Sequence, residues 1–124
     1  MTTPVHLLPK VRSDKIMASA MGQPCALRIA SFVPGGRCSG EATVVGAHAP
    51  VAGKGMSTKV TDMAVVYACY NCHAILDGAD HKGSSYIKQH YPAAMLDRVL
   101  NGLIETHARL IEDGVIVIPD AELV

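Results

Sequence analysis

Three features predict a single small α+β domain. The chain has 124 residues, 49 % of them hydrophobic, enough for one modest core and too few for two. A short apolar run with the β-branched pair Val65-Val66 fills residues 63–68, and the hydrophobic period turns from strand-like to helical just after it. Residues 93–112 then carry Met95, Leu96, Val99, Leu100, Leu103, Ile104, Leu110 and Ile111 at helical spacing, which predicts a long C-terminal amphipathic helix.

In chain order, residues 1–12 contain Pro4 and Pro9 without a steady period and read as a flexible arm, leaving 13–124 as the domain. Ser13 reads as an N-cap, followed by Ile16, Met17, Ala20 and Met21 at helical spacing, with Gly22 as the stop. Residues 25–29 read as a strand. Pro34-Gly35-Gly36 and Ser39-Gly40 mark a turn and loop. Residues 42–45 read as a strand running into His48. Residues 49–61, with Pro50, Gly53, Gly55 and two lysines, form a loop long enough to point to function. After the strand at 63–68, residues 70–77 read as a helix ended by Gly78, and 84–90 as a short helix before Pro92. Gly114 stops the long helix, and 115–118 read as a terminal strand. There is no internal repeat.

Lys+Arg and Asp+Glu are both 11, which excludes a strongly basic polyanion binder. The charges are unevenly placed. Residues 1–40 hold Lys10, Arg12, Lys15, Arg28 and Arg37 against Asp14 alone, whereas 111–124 hold Glu112, Asp113, Asp120 and Glu122 with no Lys or Arg. That asymmetry permits contact with nucleic acid through one face. No apolar run approaches the ~18 residues of a membrane span, so no membrane partner is expected. The first residues lack the apolar core of a signal peptide, and a cytoplasmic location is expected. In that reducing compartment four cysteines point to a metal more than to disulfides.

Cys69-Tyr70-Asn71-Cys72 sets two thiolates on one tight turn at a strand end, and Cys25 and Cys38 can complete a four-sulfur zinc site. Two other readings stand beside it. The cysteines can be packed thiols, since Cys often serves as a small hydrophobe. Cys69 to His73 also fits the CxxCH pattern of c-type haem attachment, hence a haem or redox protein. His48, between a strand and a Gly-rich loop, has the chemistry of a general base that deprotonates water. His73 and Asp77 are four apart and share a helix face, an N/O pair suited to a divalent metal with open positions. Taken alone, the pair reads more simply as a solvated helix face with a charged C-terminal turn.

The order Cys25, Cys38, His48, Asp62, Cys69, Cys72, His73, Asp77 resembles that of the HNH, or ββα-metal (His-Me finger), endonucleases. More closely, it is similar to the small prophage-encoded YbcO-like proteins, a group named as putative nucleases. The matching pieces are Cys25-Ala26-Leu27-Arg28-Ile29, Ala47-His48, Thr61-Asp62-Met63, Ala68-Cys69-Tyr70-Asn71-Cys72-His73, Asp77 and the final helix into Glu112-Asp113-Gly114-Val115-Ile116, over roughly residues 13–118. The resemblance implies a zinc-stapled ββα-metal core with structural Zn²⁺ on Cys25, Cys38, Cys69 and Cys72. It implies His48 as general base, and His73 as helix ligand for catalytic Mg²⁺ or Mn²⁺. Asp62 stands near the usual Asn that orients the base.

This sequence departs from the pattern twice. Ala47 stands where many relatives have a metal ligand, so Asp77 is the candidate replacement, with His81 behind it. Asp62 replaces Asn, and a carboxylate only accepts hydrogen bonds. The expected activity is metal-dependent hydrolysis of DNA in a phage or prophage setting. Arg28, Arg37, Lys54 and Lys59 are the candidate phosphate contacts. A zinc-stabilised nucleic-acid-binding module without catalysis is the alternative, and a homodimer through the long helix is open.

Overall fold

The computed structural model describes residues 2–4, 7–51 and 60–124. Its centre is a two-stranded antiparallel sheet, β1 (Val45–His48) and β2 (Val65–Ala68), in the register Val45↔Ala68, Gly46↔Tyr67, Ala47↔Val66 and His48↔Val65. Every residue of β2 is buried. Its continuous apolar character follows from cover on both faces and on its outer edge. The Tyr67 carbonyl accepts from the Ala26 and Leu27 N–H groups at 2.8 and 3.2 Å, and the Tyr67 N–H donates to Thr106 Oγ1 at 3.1 Å.

Among the described residues, four α-helices surround the hairpin: α1 (Asp14–Ala18), α2 (Tyr70–Asp77), α3 (His81–His90) and α4 (Pro92–Glu112). Ser13 caps α1, its Oγ accepting from the Ile16 N–H. The helix packs on β1 at Gly46, where an added Cβ would lie 3.3 Å from Met17 Cε and 3.0 Å from Val65 Cγ1. α2 starts at Cys69, whose sulfur accepts from the Cys72 N–H, and ends on Gly78 at φ +82°. That is the left-handed conformation glycine adopts without cost.

α4 lies on β2, and Gly102 allows the approach: a Cβ there would sit 2.9 Å from Val66 Cγ1 and 3.1 Å from the Ala26 carbonyl oxygen. Arg98 reaches from the same helix to the Ala26 and Leu27 carbonyls at 2.6 and 3.3 Å. The core therefore consists of β2 flanked by Ile16, Leu27, Ile29, Ile75, Ile87, Val99 and Leu110. Among the described residues, no helix is long and apolar enough to cross a membrane.

Several local expectations are corrected. Residues 25–29 are not a strand; they are an irregular segment whose N–H groups meet β2 at the Tyr67 carbonyl. The strand expected over 42–45 gives way to a 3₁₀ turn, Glu41–Thr43, before β1, and a second such turn, Asp62–Ala64, precedes β2. α1 ends at Ala18 and leaves Met21 exposed. α3 begins three residues early because Asp80 caps it, accepting from the Gly83 N–H at 2.9 Å. Residues 115–118 are not a strand. The N–H groups of Val115 and Ile116 instead close the end of α4 on the Leu110 carbonyl.

α4 also buries a different stripe from the one its apolar residues draw. Val99, Gly102, Thr106 and Leu110 face inward, while Leu96, Leu100 and Ile104 remain 63, 61 and 63 % exposed. The sheet offers only two strands of cover, so the apolar arc is wider than the surface available to receive it.

Candidate functional site

The hairpin brings His48 and Asp62 together from opposite ends of the 49–61 segment. His48 is the last residue of β1, and Asp62 opens the turn into β2, where the Thr61 side chain accepts from the Met63 N–H. His48 Nε2 lies 3.0 Å from Asp62 Oδ1. Asp62 is almost fully buried, and its second oxygen accepts from the Ser13 N–H at 2.7 Å, with the Arg12 guanidinium 3.6 Å from the first. Burial alone would raise its pKa. The Ser13 N–H, the His48 hydrogen bond and the nearby Arg12 charge outweigh burial and hold the carboxyl below its usual range. Asp62 is thus a carboxylate at neutral pH and accepts from Nε2–H. In the neutral ring this makes Nδ1 the basic nitrogen.

Sequence reasoning missed two supports of this pair. Ser13 and Arg12 belong to the chain's first segment, and the Val11 N–H bonds Thr61 Oγ1 while the Asp62 N–H bonds the Val11 carbonyl. From α4, His107 Nε2–H donates to the Met63 carbonyl at 2.7 Å. These contacts join residues some 40 to 50 positions apart, and no local pattern announces them.

The four cysteines converge. Their sulfurs lie within 4.8 Å of one another, with Cys38 Sγ 3.8 Å from Cys72 Sγ. Sulfurs around a tetrahedral Zn²⁺ at about 2.3 Å stand about 3.8 Å apart, so the donor set and spacing fit zinc and can hold it. Five backbone N–H groups point at these sulfurs: Arg28 and Cys69 at Cys25, Ser39 and Cys72 at Cys69, and Ala30 at Cys72, at 3.3–3.5 Å. Such donors favour thiolate over thiol.

The titration of the sulfurs follows from that crowding. The hydrogen bond from Cys72 chiefly draws the Cys25 thiol down to about 4. At Cys69 burial opposes ionisation, and the N–H groups of Cys72 and Ser39 overcome it. Burial, with the neighbouring charges of Cys25 and Cys69, pushes Cys38 up to about 12. Cys72 is raised because its proton is held by Cys25 and by burial. Close thiolates repel one another, so a cation among the four sulfurs would favour their ionised forms. Cys69 and Cys72 are fully buried and cluster with Cys25 and Cys38.

His73 and Asp77 do share one face of α2, with His73 Nε2 2.7 Å from Asp77 Oδ2 and both side chains partly exposed. A pair this close either shares a proton or takes adjacent positions on one cation, where ligands at about 2.1 Å lie about 3 Å apart. Among the described residues, the four-cysteine group is the one cluster of three or more His, Cys, Asp or Glu with metal-binding spacing. His81 stands exposed at the first position of α3.

Of the expected phosphate contacts, Arg28 is engaged. Its guanidinium bonds Glu105 at 2.6 Å and its own turn at the Cys25 carbonyl, and Glu105 raises its pKa. Arg28 also sits at φ +48°, a left-handed position where its N–H can reach Cys25 Sγ. Arg37 is exposed beside Cys38. Lys54 and Lys59 lie outside the described residues.

A family model described as "Putative nuclease YbcO" matches residues 14–111, a span holding the His48–Asp62 pair, all four cysteines and the His73–Asp77 pair. No curated protein and no solved structure gives a significant match.

Proposed function

The chain belongs to the YbcO family of putative nucleases, and on that premise we propose that it is a divalent-metal-dependent DNA endonuclease of the HNH type, acting in phage or prophage DNA processing. The observation that carries the reading is the His48–Asp62 pair, a half-exposed imidazole at a strand end held by a buried, ionised carboxylate. His48 takes a proton from the attacking water through Nδ1. Asp62 keeps Nε2 protonated and balances the imidazolium that forms. His73 and Asp77 would hold Mg²⁺ or Mn²⁺, which supplies charge stabilisation at the scissile phosphate and leaving oxygen. Cys25, Cys38, Cys69 and Cys72 hold a structural Zn²⁺, because four thiolates leave no open position. Arg37, Lys54 and Lys59 contact phosphate, and Arg28 contributes once its bond to Glu105 is exchanged. The exposed stripe of Leu96, Leu100 and Ile104 supports a homodimer, which sedimentation at micromolar concentration tests.

One observation favours a second reading, a zinc-stabilised nucleic-acid-binding module without catalysis. Ala47, fully buried and without a donor atom, precedes His48. Elemental analysis paired with supercoiled-plasmid cleavage separates the two. The nuclease reading expects about one zinc per chain and nicking in Mg²⁺ or Mn²⁺ but not in EDTA. DNA binding without nicking in either metal would favour the module.

A further inference from the structure

The chain has one Phe, four Tyr and no Trp, and most of this scarce aromatic surface is not in the core. Tyr67 is buried. Phe32, Tyr86 and Tyr91 instead gather with His90 at the corner between α3 and α4. Ring centroids are 5.6 Å apart for Phe32–Tyr91, 4.4 Å for Tyr86–His90 and 6.3 Å for Tyr86–Tyr91. His90 and Tyr91 are exposed, while Phe32 and Tyr86 are half-buried.

The charge along α3 has one sign. Residues 81–90 include Lys82 and Lys88 and no Asp or Glu. The nearest acid in sequence, Asp80, accepts the Gly83 N–H as the helix cap. Lys82, Tyr86 and His90 recur every four residues and form one stripe along α3. Beside it, a cleft of about 320 Å³ is lined by Pro50, Leu76, Lys88, Pro92, Met95 and Leu96. Pro50 lies two residues beyond His48, Leu76 one before Asp77, and Pro92 one after Tyr91, so the cleft is lined from the same segments that carry the proposed catalytic residues and the aromatic corner.

We propose that the α3–α4 corner is a stacking platform for unpaired DNA bases, with Lys82 and Lys88 on the flanking phosphates, so that the preferred substrate is single-stranded or locally unpaired DNA. The inference rests on the nuclease reading for its choice of DNA. Rings held at a surface by one another, flanked by cations, are what a strand with exposed bases recognises, because every base has a π face and every nucleotide a charge. A paired duplex hides those faces.

The test compares a short fluorescent oligothymidylate with an abasic strand of equal length, by anisotropy without Mg²⁺ or Mn²⁺ so that cleavage plays no part. The abasic strand keeps the phosphates and lacks the bases. Wild type is expected to bind the oligothymidylate more tightly by about 5- to 100-fold, the range for stacking one base on an aromatic side chain. Tyr86→Ala should remove most of that preference and leave abasic binding unchanged, whereas Tyr86→Phe should keep it. Lys88→Ala should weaken both strands alike and lower the salt dependence by about one phosphate. Equal affinity for the two strands in wild type, or a preference that survives Tyr86→Ala in a protein with an unchanged melting temperature, would overturn the platform. Either result leaves metal-dependent plasmid nicking to be judged separately.

Discussion

His48 Nε2 and Asp62 Oδ1 lie 3.0 Å apart at the end of the hairpin, and the Ser13 N–H holds the other carboxylate oxygen at 2.7 Å. One buried side chain thus ties the first helix cap, the second strand and the candidate base together. Asp62→Ala should therefore both slow cleavage and destabilise the protein, by about 1–3 kcal/mol for a buried donor left unmet. Asp62→Asn keeps an acceptor for Ser13 and should cost less stability. Urea denaturation of the two variants checks the order, and a more stable Ala variant would contradict it.

The same carboxylate makes stability depend on acid. Its folded-state pKa is depressed, mainly by Ser13 and His48 against the cost of burial. The stabilisation is therefore complete above the ordinary carboxylate pKa of about 3.9 and disappears as pH falls through the lower folded value. Asp62→Asn should flatten the loss of stability below about pH 4. Parallel stability curves for the two proteins would show that Asp62 is not the group responsible.

Removing one sulfur should undo more than a metal site. Cys72 Sγ accepts the Ala30 N–H, and Cys69 caps α2, so the cluster links the 25–30 segment to the helix carrying His73. Structural zinc contributes about 10–16 kcal/mol in small zinc domains. Cys72→Ser is thus expected to lose stoichiometric zinc and cooperative melting together. A variant that is metal-free yet melts like wild type would make the cysteines packed thiols.

Gly102 sets how closely α4 approaches β2. Gly102→Ala places a methyl group 2.9 Å from Val66 Cγ1 and 3.1 Å from the Ala26 carbonyl oxygen. Overpacking of this kind costs about 1–3 kcal/mol, although alanine is otherwise the better helix former. A rise in melting temperature would mean that the helix can withdraw freely.

The parts legible in the sequence were those with local signatures. Ser13 announces its helix, Gly78 ends α2, and the β-branched Val65-Val66 pair marks the buried strand. Four cysteines in a small chain announced a metal cluster, and their sulfurs do converge. Residues 25–29 misled because their apolar run imitates a strand, while their backbone N–H groups meet β2 at the Tyr67 carbonyl alone and their carbonyls turn to the Arg98 side chain. Leu96, Leu100 and Ile104 misled because helical spacing reports an apolar arc, not how much of it a two-stranded sheet can cover. The helical period is visible from Ser84 onward, whereas the cap that starts α3 lies earlier, at Asp80. The hold of Ser13 and Arg12 on Asp62 spans about 50 positions and has no local trace.

The central claim is that His48 is the base, and the most direct measurement is plasmid nicking by wild type and His48→Ala in Mn²⁺ and Mg²⁺, with zinc content and melting temperature recorded for both. The account predicts a folded, zinc-loaded variant with its cleavage rate down by about 10²- to 10⁴-fold, the usual contribution of a positioned general base. Nicking by folded His48→Ala at close to the wild-type rate would contradict it.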